Sequence, residues 1–315
     1  MKLLFSADWH IKLNTKNIPN EWAVNRYKQL FGKLHELEKS VDMHIIGGDI
    51  FDKLPSMQEL ELYFEFIADC RAKTIIIPGN HEATKKGQTF LTNLKKSTNL
   101  INSLVEVIDD YLSIENIDFI PYNKLKEYNQ ADINFHGDIL VTHVRGEIPP
   151  HVKPEVNLEL FDRWKVVLAG DLHSYGNSQR NILYPGSPIT TSFHRNSVDT
   201  GVIIFDSDTL SHTFIPLNLP QLIRRTIKVG DEMVPTHPDH TIFEIEGDMS
   251  ELGNVTDNAL IDKKVVKRNI ETALILSPEM SVEQEITEYL SYILELSEDT
   301  IEKALQVYND NKHLL

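Results

Sequence analysis

Five apolar runs in this chain each end in a short polar motif. Lys2 to Ala7 runs into Asp8-Trp9-His10, Met43 to Ile46 into Gly48-Asp49-Ile50-Phe51-Asp52, and Thr74-Ile75-Ile76-Ile77 into Gly79-Asn80-His81-Glu82. Ile139-Leu140-Val141 runs into Thr142-His143, and Val166 to Ala169 into Gly170-Asp171-Leu172-His173. Short apolar runs closed by Gly, Asn or Asp read as β-strands followed by turns. Strand ends on one edge of a sheet converge, so carboxylates, an amide and imidazoles scattered from Asp8 to His173 can meet at one place.

Periodicity supplies the elements between the runs. Glu21 to Glu38 carries Tyr27, Leu30, Phe31, Leu34 and Leu37 at helical spacing; Met57 to Cys70 is a second amphipathic helix with Leu60, Phe64 and Ile67 on one stripe. The resulting β, α, β, α, β order predicts an α/β fold with parallel strands, right-handed crossovers and active groups at strand C-termini. After about Lys96, short strands at Leu104 to Ile108, Ile117 to Ile120, Ile139 to Thr142, Val166 to Ala169, Gly201 to Phe205 and Ser211 to Leu217 predict a mixed second sheet. Pro216 and Pro220 bracket an exit from this main domain, residues 1–219. Leu222 to Val229, Thr241 to Ile245, Lys264 to Lys267 and Ala273 to Leu276 read as strands of a small α+β capping domain, residues 220–277. In a C-terminal helical tail, residues 278–315, Ser281 to Leu296 and Glu298 to Tyr308 read as helices opened by capping residues and acidic side chains.

Composition sets the outer limits. No apolar stretch approaches the roughly 20 residues needed to span a bilayer, and Met1 to Ala7 is too short for a signal-peptide core, so no membrane partner is expected. The one cysteine, Cys70, cannot form an internal disulfide; it fits a reducing cytoplasm, as a small buried group on a helix. Against 47 acidic residues stand 31 basic ones, a formal net charge of -16, so a global field cannot hold nucleic acid. Local patches, a partner, or cations placed among the carboxylates would have to do so.

The motifs carry metal-ligand chemistry. Asp8 and His10, two apart after a strand, allow a hard carboxylate and an imidazole to approach one cation from the same turn. Asp49 follows paired glycines that permit close backbone approach and positive φ, so its carboxylate can bridge two ions; Asp52, further along the same turn, supports the loop. Asn80 offers a neutral oxygen, although Pro78-Gly79-Asn80 also suits an ordinary turn. His81 is placed to face a leaving group, and His143 and His173 complete the shell. His35, His136, His237 and His313 are read as surface or core residues. Trp9, Lys12, Arg145, His194 and Arg195 lie near the motifs and form a candidate phosphate-contacting rim; Trp9 fits the core equally well, and the basic side chains fit solvent.

The ordered set resembles the calcineurin-like metallophosphoesterases over approximately residues 1 to 217. Ser6-Ala7-Asp8-Trp9-His10, Gly48-Asp49-Ile50-Phe51-Asp52 and Tyr184-Pro185-Gly186-Ser187-Pro188 together are similar to the SbcD-type nuclease subunit of recombination and double-strand-break repair exonucleases, including phage-encoded relatives. The resemblance implies a four-layer α-β-β-α sandwich with two divalent cations, commonly Mn²⁺, and an SMC-like ATPase partner bound through the C-terminal segment; a self-packed cap or a homodimer surface are alternatives for that segment. Carried over by motif, Asp8, His10, Asp49 and His173 would hold one ion, and Asp49, Asn80, His143 and Asp171 the other. Asp171 stands where the family usually shows the first histidine of Gly-His-x-His, which adds a negative charge and a hard oxygen and shifts the site toward Mn²⁺ or Mg²⁺. Glu82 replaces the family's common aspartate.

The implied function is a DNA exonuclease or endonuclease subunit of recombination, repair or replication, acting in the cytoplasm (the host's for a phage protein). Hydrolysis would use a metal-bridged hydroxide, with His81 as general acid to the departing oxygen. A small-molecule phosphodiesterase or phosphomonoesterase needs the same metals but not the region after Pro220. A non-catalytic scaffold would have lost His81 or several ligands.

Overall fold

A computed structural model describes residues 1–84, 87–128, 135–266, 280–294 and 296–312. The strand expected at Ala273 to Leu276 and the residue His313 lie outside them. Among the described residues no helix is long and apolar enough to cross a membrane.

Two sheets pack face to face. The first joins β1 (Lys2–Ser6), β2 (Met43–Ile46), β3 (Lys73–Ile76) and β4 (Val105–Val107) in parallel. The second runs from β5 (Leu112–Ile114) and β6 (Ile117–Ile120) through β7 (Ile139–His143) and β8 (Val166–Gly170) to β9 (Ile182–Leu183). It is mixed, because β5 pairs antiparallel with β6 while the rest are parallel. The expectation that every short strand after Lys96 belongs to this sheet needs correcting. β4 extends the first sheet, and β10 (Gly201–Asp206) and β11 (Ser211–Pro216) return to its other edge, β10 antiparallel to β1. Pairing across some 200 positions is a tertiary choice that local periodicity does not encode.

Alternation along the strands builds the layers. Leu3 and Phe5 point between the sheets with Ile45, Ile75, Phe119, Val141 and Leu168, while Leu4, Ile46 and Ile76 point outward under the helices. Helices α1 (Asn20–Glu38), α2 (Met57–Asp69) and α3 (Leu91–Ile101) cover that outer face; α4 (Tyr122–Tyr128) and a cluster around Trp164 cover the other. The result is the four-layer α-β-β-α sandwich. In α2 the buried stripe is Leu62, Tyr63, Phe66 and Ile67; Leu60 and Phe64 of the expected stripe sit at its margin. A capping box at Ser56 and Glu59 fixes the start of α2, and the second carboxylate oxygen of Glu59 accepts the Leu13 N–H at 2.7 Å, tying the first motif loop to this helix.

Beyond Pro216, β12 (Leu222–Lys228), β13 (His240–Gly247) and β14 (Ile261–Val266) form a parallel three-stranded sheet, with α5 (Met249–Gly253) packing Leu252 against Ile245 and Ile261. This unit docks on the main body. His194 pairs with the edge of β12, its N–H donating to Leu222 O and its carbonyl accepting from Arg224, while Trp22 Nε1 of α1 donates to Pro238 O at 3.1 Å. In the tail, α6 (Val282–Glu288) runs into a widened turn over Tyr289–Ile293 before α7 (Glu298–Asn311), and Lys312 reaches back to Glu283 at 3.4 Å.

A histidine and carboxylate cluster at the strand ends

The first two motif loops leave the sheet together. Beyond β1 and β2, Asp8 N donates to Gly48 O, His10 N to Asp49 O and Ile11 N to Ile50 O, so the ladder continues into the loops. Three side chains are turned off this ribbon by left-handed backbone, with φ of 57° at Asp8, 46° at His10 and 53° at Asp49; Asp171, after β8, has φ of 104°. The paired glycines were expected to permit positive φ before Asp49, and Gly48 does adopt 96°; the aspartates and His10 adopt positive φ as well. Non-glycine residues in this region store strain that persists only where the surroundings over-determine it, as at binding sites. Gly79 answers a different need: a Cβ there would lie 2.2 Å from Asp49 Oδ1 and 2.7 Å from His143 Cε1.

The seven expected ligands meet at this edge. Asp8, His10 and His173 bring ligand atoms within 4.8 Å of one another; so do Asp8, Asp49 and His143, and also His10, Asp49 and His81. His143 Nε2 lies 2.8 Å from Asn80 Oδ1, 3.5 Å from Asp49 Oδ2 and 4.0 Å from Asp171 Oδ1. The Nε2 atoms of His10 and His173 face each other at 3.0 Å. Asp49 therefore sits between the two halves. The opposite ring nitrogens are held from behind: His143 Nδ1 donates to Gly47 O at 2.8 Å, and His173 Nδ1 lies 3.1 Å from Thr191 Oγ1.

Electrostatics show a cluster without an internal solution. Burial raises the Asp8 carboxyl well above its ordinary range, with Asp49 and Asp171 adding to it. Burial lowers His10 to about 3, helped by His173 and His81, and burial also lowers His173. His143 goes the other way: burial opposes its charge, yet Asp49, Asp8 and Asp171 raise it to about 10. Buried His10 Nδ1 has no hydrogen-bond partner among the described residues, its closest approach to a carboxylate being 3.9 Å to Asp52. Buried carboxylates with imidazole lone pairs aimed at a common point are costly unless paired or bound to cations, and these residues fit divalent ions.

Glu82, left open by sequence reasoning, proves to be a staple between two motifs. Fully buried, it accepts the N–H groups of Asp49, Phe51 and Gly79 at 2.8 to 2.9 Å, and burial together with Asp49 pushes it up to about 7. Tyr184 to Pro188, noted in the sequence without a role, is a second staple. Ser187 Oγ donates to the Asp8 carbonyl at 2.7 Å, and Ser187 N donates to His173 O at 3.2 Å, joining loops that are far apart in the chain. Asp52 supports its loop as expected, accepting Lys12 Nζ at 2.8 Å and, through its carbonyl, His81 Nδ1 at 2.6 Å.

The rim residues separate. Trp9 is completely buried, edge-on to Phe66 with ring centres 4.7 Å apart, so it is core and touches no substrate. Arg195 spends its guanidinium on Thr226 and Glu244 of the small domain, not on the strand-end edge. His194 lines a cavity of about 870 Å³ beside His173, together with Tyr175, Ile189, Thr191 and Phe214. Arg145 grips Asp171 through Nε and Nη2, both at 3.1 Å. Its guanidinium sits at the edge of the cluster, half exposed.

Comparisons with known proteins place the chain in a family. Residues 1–175 match the family model described as Calcineurin-like phosphoesterase. A protein of Escherichia phage T5 named "Probable exonuclease subunit 1" is 38% identical over 317 residues, spanning 97% of each chain. "Putative phosphoesterase 244L" of Invertebrate iridescent virus 6 is 27% identical over 259 residues, covering 73% of this chain and 86% of that one. A crystal structure from Thermus thermophilus aligns at 8% identity with a TM-score of 0.45, over 69% of this chain and 99% of that chain. With more than half its length matched by the family and a near full-length relative in the phage, the chain belongs to the calcineurin-like phosphoesterases, metal-dependent hydrolases of phosphate esters.

Proposed function

We propose that this chain is the nuclease subunit of a DNA-processing complex, hydrolysing phosphodiester bonds with two divalent cations, Mn²⁺ or Mg²⁺. The observation that carries the reading is the convergence of Asp8, His10, Asp49, Asn80, His143, Asp171 and His173 from five strand ends, with Asp49 between the two halves. Asp8, His10, Asp49 and His173 would hold one cation, and Asp49, Asn80, His143 and Asp171 the other. The oxygen-rich second set favours Mn²⁺ or Mg²⁺ over softer metals. When bound, such a pair supplies a nucleophile at neutral pH and neutralises charge developing on the phosphate.

The chain's own residues do the rest. His81, with Nδ1 anchored on the Asp52 carbonyl, keeps Nε2 near the cluster, 3.9 Å from Asp49 Oδ2, and is positioned to give a proton to the leaving oxygen. The carbonyl anchor selects the proton-bearing nitrogen, so Nε2 can carry the second proton of the imidazolium. The cavity beside His173, walled by Tyr175 and His194, is the place for the nucleotide flanking the scissile bond.

Partner binding belongs to the same reading. We assign residues 1–219 to the nuclease domain, 220–277 to a capping domain and 278–315 to a segment that binds an SMC-like ATPase. Exposed Val282, Tyr289, Leu294, Leu296 and Val307 on the tail support the last assignment, as does the word "subunit" in the phage relative's name. The test compares Mn²⁺-dependent cleavage of linear DNA with that of a chromogenic phosphodiester, with and without the co-expressed ATPase. Cleavage of DNA that rises with the partner is expected. Hydrolysis of the chromogenic ester alone, unaffected by the partner, would point instead to a small-molecule phosphoesterase.

A further inference from the structure

The most unusual contact in the cluster is the pairing of Asp171 with Arg145. Asp171 stands where the second cation would be held, and its side chain is only 5% exposed, yet both of its oxygens are already taken by one guanidinium. Fork-to-fork pairing of this kind uses the lone pairs that a cation would need. The backbone of Asp171 is pinned at the site, its N–H donating to the Asp8 carboxylate with oxygens at 3.1 and 3.2 Å. Arg145 can move, since its side chain is 44% exposed and reaches Asp171 from the solvent side. Its backbone is held separately, with the Arg145 N–H on Glu155 Oε1 at 3.2 Å and Glu155 in turn accepting the Tyr122 hydroxyl at 3.0 Å. The pivot is fixed and the head is free.

The charge count gives the pairing a purpose. Asp8, Asp49 and Asp171 crowd together around His143, and an aspartate at position 171 adds a carboxylate that a histidine would not. Arg145 sets a positive charge directly against that carboxylate. Once Asp171 serves a cation, the guanidinium loses its two-point carboxylate partner, keeps only the longer-range attraction of Glu155, and is left at the edge of the cluster, half exposed. A planar fork that binds a carboxylate in two-point fashion binds a phosphate in the same way.

We propose that Arg145 is an exchangeable counter-ion: it competes with the second divalent cation for Asp171, and on release it becomes a phosphate clamp for the substrate. This rests on the two-cation reading above. The test is Mn²⁺ binding, measured by calorimetry and by the EPR signal of free Mn²⁺, in the full-length wild type and in Arg145→Ala, Arg145→Lys, Asp171→Asn and Arg145→Ala/Asp171→Asn. Removing the competitor should tighten the weaker Mn²⁺ site by about ten-fold, the low end for a close charge pair at a half-exposed position. The tighter site should not change, and Arg145→Lys should fall between. The gain should vanish in the Asp171→Asn background. On DNA, Arg145→Ala should raise KM more than it lowers kcat, and less Mn²⁺ should be needed for half-maximal rate. Unchanged or weaker Mn²⁺ binding in Arg145→Ala, with two ions still bound by the wild type, overturns the exchange but leaves the two-cation reading standing. A wild type that binds no Mn²⁺ overturns both.

Discussion

Two clusters of histidines and carboxylates lie along the same strands and have opposite characters. In the one behind the sheet edge, Trp9 Nε1 donates to Ser6 Oγ at 3.2 Å, Ser6 is hydrogen-bonded to His44 Nε2 at 2.9 Å, and His44 Nδ1 donates to Glu38 Oε1 at 2.9 Å. The other oxygen of Glu38 accepts from His35 Nδ1 at 3.1 Å and from the Arg71 N–H at 3.0 Å. Serine, histidine and glutamate in this order look like a nucleophile relay, but Ser6 and His44 are fully buried and every donor has an acceptor. The cluster at the edge has the same residue types and leaves His10 Nδ1 unpartnered, with two imidazole nitrogens confronting each other. Satisfied networks stabilise a core, whereas an unsatisfied one needs a ligand. Composition alone would not separate them; hydrogen-bond closure does.

Substitutions can break the comparison, beginning with the largest effect. Asp49→Ala should abolish both the Mn²⁺-induced rise in melting temperature and all hydrolysis, since both halves of the cluster lose their shared carboxylate; a persisting Mn²⁺ shift would remove Asp49 from the bridge. His81→Ala should keep the Mn²⁺ shift and lose about 10²–10⁴-fold in kcat on DNA, and cleavage at wild-type rate would end its role as acid. Glu38→Ala should do the reverse, retaining Mn²⁺ binding while costing about 3 kcal/mol in urea unfolding, as expected when one member of a buried ionic network is deleted. If Glu38→Ala also lost Mn²⁺ binding, the two clusters would be one functional unit.

The smallest effect is a pH dependence. Burial would raise Glu38, but His35, His44 and the Arg71 N–H overcome it and bring its pKa down to about 2, from an ordinary 4.5. A carboxylate depressed in the folded state stabilises above its unfolded pKa, and that stabilisation is lost as pH falls through the folded value. Burial also lowers His44, which acts in the same direction because the folded state disfavours its protonation. Stability in wild type should therefore decline between about pH 4.5 and 2 through Glu38, and Glu38→Gln should flatten that part of the acid-unfolding curve. Identical slopes in the two proteins would show that the network is not what holds Glu38 ionised.

Much of the site was legible because its chemistry is written locally. Strand end and candidate ligand lie close together in the chain at Asp8, Asp49, Asn80, His143 and His173, so each motif announces both its position on the sheet and the donor atom it offers. The supporting residues carry no such signal. Glu82 and Ser187 act through hydrogen bonds to backbone in other loops, and only the fold reveals that Gly79 faces His143. Trp9 and Arg195, read as rim candidates from proximity in sequence, lie respectively in the core and at the small domain.

By itself, then, the sequence determined the period of each element, the order of the motifs and the kinds of donor they present, because these depend on a residue and its near neighbours. Tertiary structure decided the rest. It sent β10 and β11 back to the first sheet, closed one histidine network and left the other open, and set Arg145 against Asp171. Those outcomes depend on which surfaces pack together, and hence on distances between residues that the chain itself keeps far apart.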